Sequence, residues 1–261
     1  MRQLQTLFET GAATHVGKVR NRNEDCYLTR PEAGIWAVAD GMGGHDDGHL
    51  ASQTVIEALK TIENPPSASE LLSLCESRIL DASATLHDIG RQRDVTIGTT
   101  VVVLLVADDY FASLWCGDSR LYIIRDGGIS QVTRDHSEVQ ELLTNGLITP
   151  EQALTWTGRN VITRAVGVVD NPELEITSAA LGPGDVFVIC SDGLTQHIAD
   201  HEILLCVSEN GSQQACDQLV ALTLERGATD NVTVIVVRYN SAGGTTFETA
   251  SRPADISEPL Q

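Results

Sequence analysis

Residues 35–41, Ile-Trp-Ala-Val-Ala-Asp-Gly, combine a short apolar run with an aspartate and a glycine directly after it. The same arrangement recurs in residues 110–119 and 186–193, and in residues 230–237 the aspartate comes just before the apolar run. Short apolar runs bounded by turn residues are typical of buried β-strands. Because strand ends are rigid, we predict that four carboxylates converge on one point of the fold.

The four carboxylates belong to Asp40, Asp118, Asp192 and Asp230. Uncompensated carboxylates repel one another, whereas hard divalent cations such as Mg²⁺ and Mn²⁺ prefer oxygen ligands. An ordinary turn explains each aspartate taken alone, but one cluster explains all four more economically. The sequence therefore favours a divalent-metal site built from strand ends.

Composition excludes some classes of partner. The 261 residues include 36 acidic and 17 basic side chains, which gives a formal net charge of −19. Nucleic acids and anionic membranes need a basic surface, so we expect neither as a partner. No apolar stretch reaches the roughly 20 residues of a membrane span, and the N-terminal residues contain no apolar core of a signal peptide. Six scattered cysteines without a C-x-x-C pair indicate reduced thiols and a cytoplasmic protein.

Helical and strand-like periodicities alternate along the chain. Apolar spacings predict a helical hairpin over 47–62 and 69–89, with Pro65-Pro66 between its two helices. An antiparallel meander of four β-rich runs is predicted next, over 99–107, 110–116, 120–125 and 129–132. The later elements are predicted to be a helix from Ser137, a strand at 186–190, helices at 200–208 and 213–226, and a strand at 232–239.

These elements predict a layered α+β fold, with helices at the start and end of the chain and strands between them. Ser137 and Gln140 have the spacing of a capping box. The polar, glycine-containing segment 144–167 is a candidate flap over a site. We expect residues 1–240 to form one domain and the Gly-, Ser-, Thr- and Pro-rich residues 241–261 to form a disordered tail.

Two polar motifs add candidate site residues. In the first, Arg20 offers a planar fork of donors that suits a phosphate, and Glu24 and Asp25 offer carboxylates for direct or supporting contact with a metal. A solvated turn with local ion pairs is the plainer interpretation of that motif. In the second, residues 40–45, glycines permit a sharp turn, and the carbonyl of Gly41 is a further candidate ligand.

Together these motifs resemble the metal-dependent protein serine/threonine phosphatases of the PPM (PP2C) family, in their compact bacterial form. The resemblance covers about residues 11–239, and its motifs occur in the order of the family. They are Arg20…Asn23-Glu24-Asp25, Asp40-Gly41-Met42-Gly43-Gly44-His45, Gly98-Thr99-Thr100, Gly117-Asp118-Ser119-Arg120, Ser191-Asp192-Gly193 and Asp230-Asn231. The resemblance implies a central β-sandwich of two antiparallel sheets flanked by helix pairs, in four αββα layers, with metals at one end.

The resemblance also implies a set of metal ligands. Asp40 would bridge two Mn²⁺ or Mg²⁺ ions. Asp192 and Asp230 would complete the protein ligands of one ion, and the Gly41 carbonyl would serve the other, with Glu24 reaching it directly or through water. A further carboxylate, that of Asp118, would join Asp192 in holding a third, weaker metal.

Further roles are implied for residues around the ions. Arg20 would bind the substrate phosphate, Asp25 would be a supporting carboxylate, and Asn231 would orient Asp230 or a bound water. A water bridging the two cations would attack the phosphorus of phosphoserine or phosphothreonine directly, without a phospho-enzyme. His45 is the candidate donor of a proton to the leaving oxygen, or else a surface histidine. Many eukaryotic members have a histidine directly after Asp-Gly, where this chain has Met42.

The flap motifs at 146–152 and 160–167 are similar to those of stand-alone phosphatases that oppose bacterial eukaryotic-like Ser/Thr kinases. Similar phosphatases accompany type VI secretion, where they reverse the phosphorylation of a forkhead-associated (FHA) domain protein. We therefore expect a monomer that acts on phosphorylated proteins, with a cognate kinase and an FHA-domain protein as candidate partners. The alternatives are an inactive PP2C-like scaffold or binding module, a structural Ca²⁺-binding domain, and a phosphatase acting on an anti-sigma antagonist.

Overall fold

The computed structural model describes residues 7–43, 47–63, 67–153, 155–158 and 161–240. Within these ranges the strands are β1 Phe8–His15, β2 Asp25–Arg30, β3 Ile35–Met42, β4 Gly98–Thr99, β5 Val101–Ala107, β6 Tyr110–Cys116, β7 Arg120–Arg125, β8 Gly128–Gln131, β9 Glu175–Ala180, β10 Val186–Cys190 and β11 Val232–Tyr239. The helices are α1 Asp47–Lys60, α2 Ala68–Arg93, α3 Glu138–Thr144, α4 Pro150–Ala153, α5 Asp192–Thr195, α6 Asp200–Glu209 and α7 Ser212–Glu225. His45, Pro65-Pro66, parts of the predicted flap and the predicted tail 241–261 lie outside the described residues.

Two antiparallel sheets pack against each other. The first has the strand order β2-β3-β5-β6-β9, with β4 paired to β3, and the second has the order β1-β11-β10-β7-β8. One hydrophobic cluster fills the space between the sheets, with Trp36 and Phe111 from the first and Phe187 from the second. Two further clusters lie between the first sheet and helices α1 and α2, and between the second sheet and helices α6 and α7. These four layers are the predicted αββα sandwich.

The central strands could be recognised from the sequence because both of their faces are buried. In β5, Val102, Leu104 and Val106 pack between the sheets, while Val101 and Val103 pack in the cluster that contains α1 and α2. Successive side chains of a strand point to opposite faces, so a strand that is covered on both faces is apolar throughout. The bounds predicted for β6, β7, β10 and β11 agree with the structure.

The predicted helices are also present. The helical hairpin forms as α1 and α2, although α2 continues to Arg93, four residues beyond the predicted end. Helix α3 starts after Ser137, whose hydroxyl accepts a hydrogen bond from the backbone N–H of Gln140 at 3.4 Å. The side chain of Gln140 donates to Thr144 Oγ1 rather than back to the cap, so only half of the predicted capping box forms. No helix among the described residues is long and apolar enough to span a membrane.

Parts of the predicted order were wrong. The prediction placed helices at the start of the chain, but three strands precede the first helix. Two of these strands, β1 and β2, were not predicted. The four central runs do not form one meander: β5 and β6 pair in the first sheet, whereas β7 and β8 pair in the second. Residues 117–119 carry the chain from one sheet to the other, so Asp118 lies in a crossing between the sheets. Asp40 and Gly41 lie within β3 rather than after it, since Asp40 pairs with Asp25 of β2.

Candidate active site

A cavity of about 280 Å³ opens at one end of the sandwich, where β3, β10 and β11 meet the crossing between the sheets. The residues that line it are Arg20, Glu24, Asp40, Gly41, Met42, Gly43, Thr100, Asp118, Ile162, Asp192, Gln196 and Asp230. Seven predicted site residues are among them. Two others, Asp25 and Asn231, are buried beside the cavity, and the position of His45 is not described.

Asp40 is held in place by two threonines of the Gly98-Thr99-Thr100 motif. The backbone N–H of Asp40 donates to Thr100 Oγ1 at 3.1 Å, and the N–H of Thr100 donates to the Asp40 carbonyl at 2.8 Å. Thr99 Oγ1 donates to the same carbonyl at 2.9 Å. These bonds hold the backbone N–H and the carbonyl of Asp40 in place, and Asp40 lines the cavity.

Two glycines let the backbone approach the carboxylate of Glu24. A Cβ at Gly41 would lie 2.0 Å from the carbonyl oxygen of Gly48, and a Cβ at Gly48 would lie 2.7 Å from the carboxyl carbon of Glu24. The N–H of Gly41 also donates to the Glu24 carbonyl at 3.2 Å. Only glycine permits such close packing. Sequence reasoning missed Gly48, although a glycine in the first turn of a helix is an unusual choice.

Burial raises the pKa of five carboxyl groups at the site, those of Glu24, Asp25, Asp40, Asp118 and Asp192. For Asp40 the pKa lies well above its usual value, through burial and then the charge of Asp25. Burial followed by the charge of Asp192 raises the pKa of Asp118 to about 8, and burial raises that of Asp25 to about 7. The pKa of Asp192 is raised by burial and then by Asp230. A bound cation would compensate these charges and favour the ionised forms.

Two carboxylate oxygens at the site are buried without a partner. Asp25 Oδ2 accepts from Ser191 Oγ at 2.8 Å and from Thr233 Oγ1 at 2.7 Å, but its Oδ1 has no hydrogen bond. Asp192 Oδ2 accepts from Gln196 Nε2 at 2.7 Å, and its Oδ1 has none. Leaving a buried acceptor unsatisfied is costly, so these oxygens fit coordination to a hard cation.

Among the residues that the structure describes, no three His, Cys, Asp or Glu side chains already have the close spacing of a formed metal site. The carboxylates surround the cavity instead of meeting at one point. The donor set is nevertheless made of oxygen atoms, and burial together with neighbouring carboxylates raises the pKa of Asp40 and Asp118, an effect that a bound cation would oppose. The residues present therefore fit divalent cations of the Mg²⁺ and Mn²⁺ type.

Asn231 and Gln196 organise the second sheet's side of the site. Asn231 Oδ1 accepts from the N–H of Glu24 at 2.8 Å, and its Nδ2 donates to the carbonyls of Val16 and Arg22 at 2.8 and 2.9 Å. Its side chain thus fastens the loop that precedes β2, while its backbone N–H donates to Asp230 Oδ1 at 2.8 Å. Gln196 was missed from the sequence; it lies four residues after Asp192, a spacing that brings side chains together on a helix.

Comparisons with known proteins agree with this geometry. The profile of the protein phosphatase 2C family matches residues 14–221. The serine/threonine protein phosphatase PstP of Mycobacterium tuberculosis is 35% identical over 239 residues, which are 90% of this chain and 46% of the relative. The chain thus spans about half the length of that relative.

Two solved structures have the same fold. PppA, described as a key regulatory component of T6SS in Pseudomonas aeruginosa, superposes with a TM-score of 0.82 at 37% identity, covering 89% of this chain and 97% of that chain. The catalytic domain of PstP in complex with two manganese ions superposes with a TM-score of 0.77 at 33% identity, covering 90% and 99%. Because the family profile matches well over half of its residues, the chain belongs to the protein phosphatase 2C family.

Proposed function

We propose that the protein is a metal-dependent protein serine/threonine phosphatase, which hydrolyses phosphoserine and phosphothreonine by direct attack of water. The observation that carries this proposal is the cavity itself, which brings five carboxylates and one arginine together at the end of the sandwich. The family likeness and the manganese ions of the PstP catalytic domain support the same reaction.

The chain's carboxylates would hold two Mn²⁺ or Mg²⁺ ions. We assign Asp40 to both ions, Asp192 and Asp230 to one, and the Gly41 carbonyl with Glu24 to the other. Asp118, together with Asp192, is left for a third, weaker ion. When bound, such cations lower the pKa of water towards neutrality and neutralise phosphate charge. Asp25 supports this set, since it is buried beside Asp40 and joined to Ser191.

We assign Arg20 to the substrate phosphate. Its guanidinium donates to Asp230 at 2.7 Å, and 53% of its side chain is exposed. An exposed ion pair contributes about 0–1 kcal/mol, so a phosphate can replace the carboxylate at little cost. The guanidinium would then stabilise the charge on the phosphate oxygens.

Direct attack by water is supported by the residues around the cavity. Among its described lining residues there is no cysteine, histidine or serine. The one lining hydroxyl, Thr100 Oγ1, is engaged by the Asp40 N–H and by Ser119 Oγ, at 3.1 and 2.7 Å. Among the described lining residues no hydroxyl or thiol is therefore free to take up the phosphoryl group, and the carboxylates, which could also accept it, are the groups assigned to the metals. His45 remains our candidate for protonating the leaving oxygen.

The biological setting is also proposed. We infer that residues 1–240 form the catalytic domain of a monomeric, cytoplasmic phosphatase that opposes a bacterial eukaryotic-like Ser/Thr kinase. The likeness to PppA supports a role in type VI secretion. An FHA-domain protein remains our candidate substrate. The inactive scaffold is disfavoured because Arg20 and all the predicted carboxylates are retained.

Phosphate release from a threonine-phosphorylated peptide tests the activity. The metal-stripped protein is assayed with Mn²⁺, Mg²⁺ or Ca²⁺, beside Asp192→Ala and the control Asp81→Asn, which changes an exposed carboxylate on α2. We expect release that needs Mn²⁺ or Mg²⁺, persists in the control and is lost in Asp192→Ala. Metal binding without turnover on several phosphopeptides and an aryl phosphate would instead indicate a scaffold.

A further inference from the structure

His136 holds both peptide groups of Gly117, the residue directly before Asp118. Its Nδ1 accepts a hydrogen bond from the Gly117 N–H at 3.1 Å, and its own backbone N–H donates to the Gly117 carbonyl at 2.9 Å. The histidine is 4% exposed, and its ring stacks on Trp115 with 6.2 Å between ring centroids. The backbone that leads into Asp118 is therefore fixed by one buried residue, through its ring and its backbone N–H.

Gly117 needs this fixation because its backbone is unusual. Its φ of +115° is a conformation that side chains with a Cβ rarely adopt, and a Cβ there would lie 2.6 Å from Thr100. On the other side of Asp118, the hydroxyl of Ser119 lies 2.7 Å from Thr100 Oγ1. Asp118 is thus fastened on both flanks, and the His136 side chain makes one of these contacts.

The same histidine joins this crossing to the predicted flap. The carbonyl of His136 accepts from the N–H of Thr163 at 2.8 Å, next to Ile162, which lines the cavity. His136 Nε2 lies 3.1 Å from Glu175 Oε1, an ion-pair distance without a well-directed hydrogen bond. The contact with Gly117 is therefore the better defined of the two polar contacts made by the ring.

The contact with Gly117 requires a neutral ring. Nδ1 can accept from the Gly117 N–H only while it carries no proton, so the proton must be on Nε2, on the side of Glu175. Burial lowers the pKa of His136, although Glu175 opposes this effect. The charged groups around the ring are Glu175, Arg164 and Arg134. The environment thus supports the tautomer that the contact needs.

We propose that His136 is a positioning residue, which sets the Asp118 carboxylate for metal binding by accepting a hydrogen bond from Gly117. This inference rests on the proposed function, since it concerns the weakest of the metals assigned above. Groups that orient metal ligands change metal affinity by about 10- to 100-fold when they are removed. The role was invisible in the sequence, because the histidine and Gly117 are 19 residues apart.

Two substitutions distinguish the contact of Nδ1 with Gly117 from the contact of Nε2 with Glu175. In His136→Asn the amide oxygen takes the place of Nδ1, so the acceptor for Gly117 is kept and the contact with Glu175 is lost. In His136→Gln the terminal amide takes the place of Nε2, so the contact with Glu175 is kept and the acceptor is lost. Both variants keep the backbone bonds of residue 136, and thermal unfolding measures their stability. Glu175→Gln is a third variant that leaves the ring intact.

Mn²⁺ binding is measured by calorimetry, with Asp118→Asn as the reference for loss of the weakest site. We expect His136→Gln to weaken that site about tenfold or more, as Asp118→Asn does, and His136→Asn and Glu175→Gln to bind like the wild type. The concentration of Mn²⁺ that gives half-maximal phosphate release should shift in the same way. The proposal would be overturned if His136→Asn and His136→Gln changed the Mn²⁺ affinity of the weakest site equally. It would also be overturned if Glu175→Gln alone changed that affinity. A wild-type protein that binds Mn²⁺ but releases no phosphate overturns the proposed function instead, and the binding data still decide the role of His136.

Discussion

Arg20 and Asp230 form an ion pair of 2.7 Å at the mouth of the cavity, which joins the predicted phosphate-binding residue to a predicted metal ligand. While the two side chains are paired, Arg20 is not available to a phosphate and Asp230 is not available to a metal. A cation that takes up Asp230 would release the guanidinium of Arg20, and the guanidinium would then be available to a phosphate. Metal binding and substrate binding are therefore expected to favour each other.

We predict that Arg20→Lys raises the KM for a phosphopeptide about tenfold, because an ammonium lacks the planar fork that binds two phosphate oxygens. The kcat should fall less than in Asp192→Ala. Steady-state kinetics at saturating Mn²⁺ check this, with Arg78→Lys on the exposed face of α2 as the matched control. An unchanged KM would show that Arg20 does not contact the phosphate.

The stability of the metal-free protein should fall as the pH rises. The pKa of Asp118 is about 8 in the folded chain, raised by burial from its ordinary value of 3.8, so between these values the folded state binds more protons than the unfolded state. Each increase in pH across this window therefore favours unfolding. Thermal unfolding in a chelator should give a melting temperature that decreases from pH 5 to pH 8, with a smaller slope for Asp118→Asn. Added Mn²⁺ should raise the melting temperature most near pH 8. A melting temperature of the metal-free protein that rises with pH would contradict the prediction.

Asp25→Asn should stabilise the metal-free protein while it weakens Mn²⁺ binding. The amide can still accept hydrogen bonds from Ser191 and Thr233, but it removes a buried charge whose Oδ1 has no partner. We expect a rise of roughly 2–4 °C in the melting temperature for each kcal/mol gained. Calorimetric titration with Mn²⁺ measures the loss of affinity, with Asp217→Asn on α7 as the control. A lower melting temperature would show that the ionised carboxylate stabilises the fold.

Gly41→Ala should disrupt the site far more than Gly128→Ala. The new methyl group at residue 41 would lie 2.0 Å from a backbone oxygen, whereas at residue 128 the nearest atom, Arg125 O, is 3.7 Å away. Backbone cannot yield as a side-chain end can, so we expect a loss of roughly 2 kcal/mol or more in the free energy of unfolding. Urea denaturation measures this, and equal stabilities of the two variants would refute the close packing around Glu24.

The sequence was most informative where strands are buried on both faces. Strands β5 and β10 are apolar throughout, and in β11 only Thr233 and Arg238 interrupt the run before its last residue, so their positions were clear. The edge strands β1 and β9 were missed because much of each is exposed and mixes polar with apolar residues. Periodicity also could not show which sheet a strand joins, and so the crossing at residues 117–119 was mistaken for part of a meander.

The site was predictable only in part, for a similar reason. Four aspartates at the ends of apolar runs stood out, three of them beside glycines, and the structure gathers all four around one cavity. Gly48 and His136 did not stand out, since what they do depends on residues that are distant in the sequence. Gly48 matters because Glu24 packs against it, and His136 because it holds Gly117.

The cavity's carboxylates come from both sheets, and this division has a further consequence. Asp40 belongs to β3 of the first sheet, whereas Asp192 and Asp230 adjoin β10 and β11 of the second. Between the two sheets lies the apolar layer that contains Trp36 and Phe187. Side-chain volume deep in the sandwich is therefore expected to tune the spacing of the proposed ligands, and a substitution far from the cavity is expected to change the choice of cation without altering any of them.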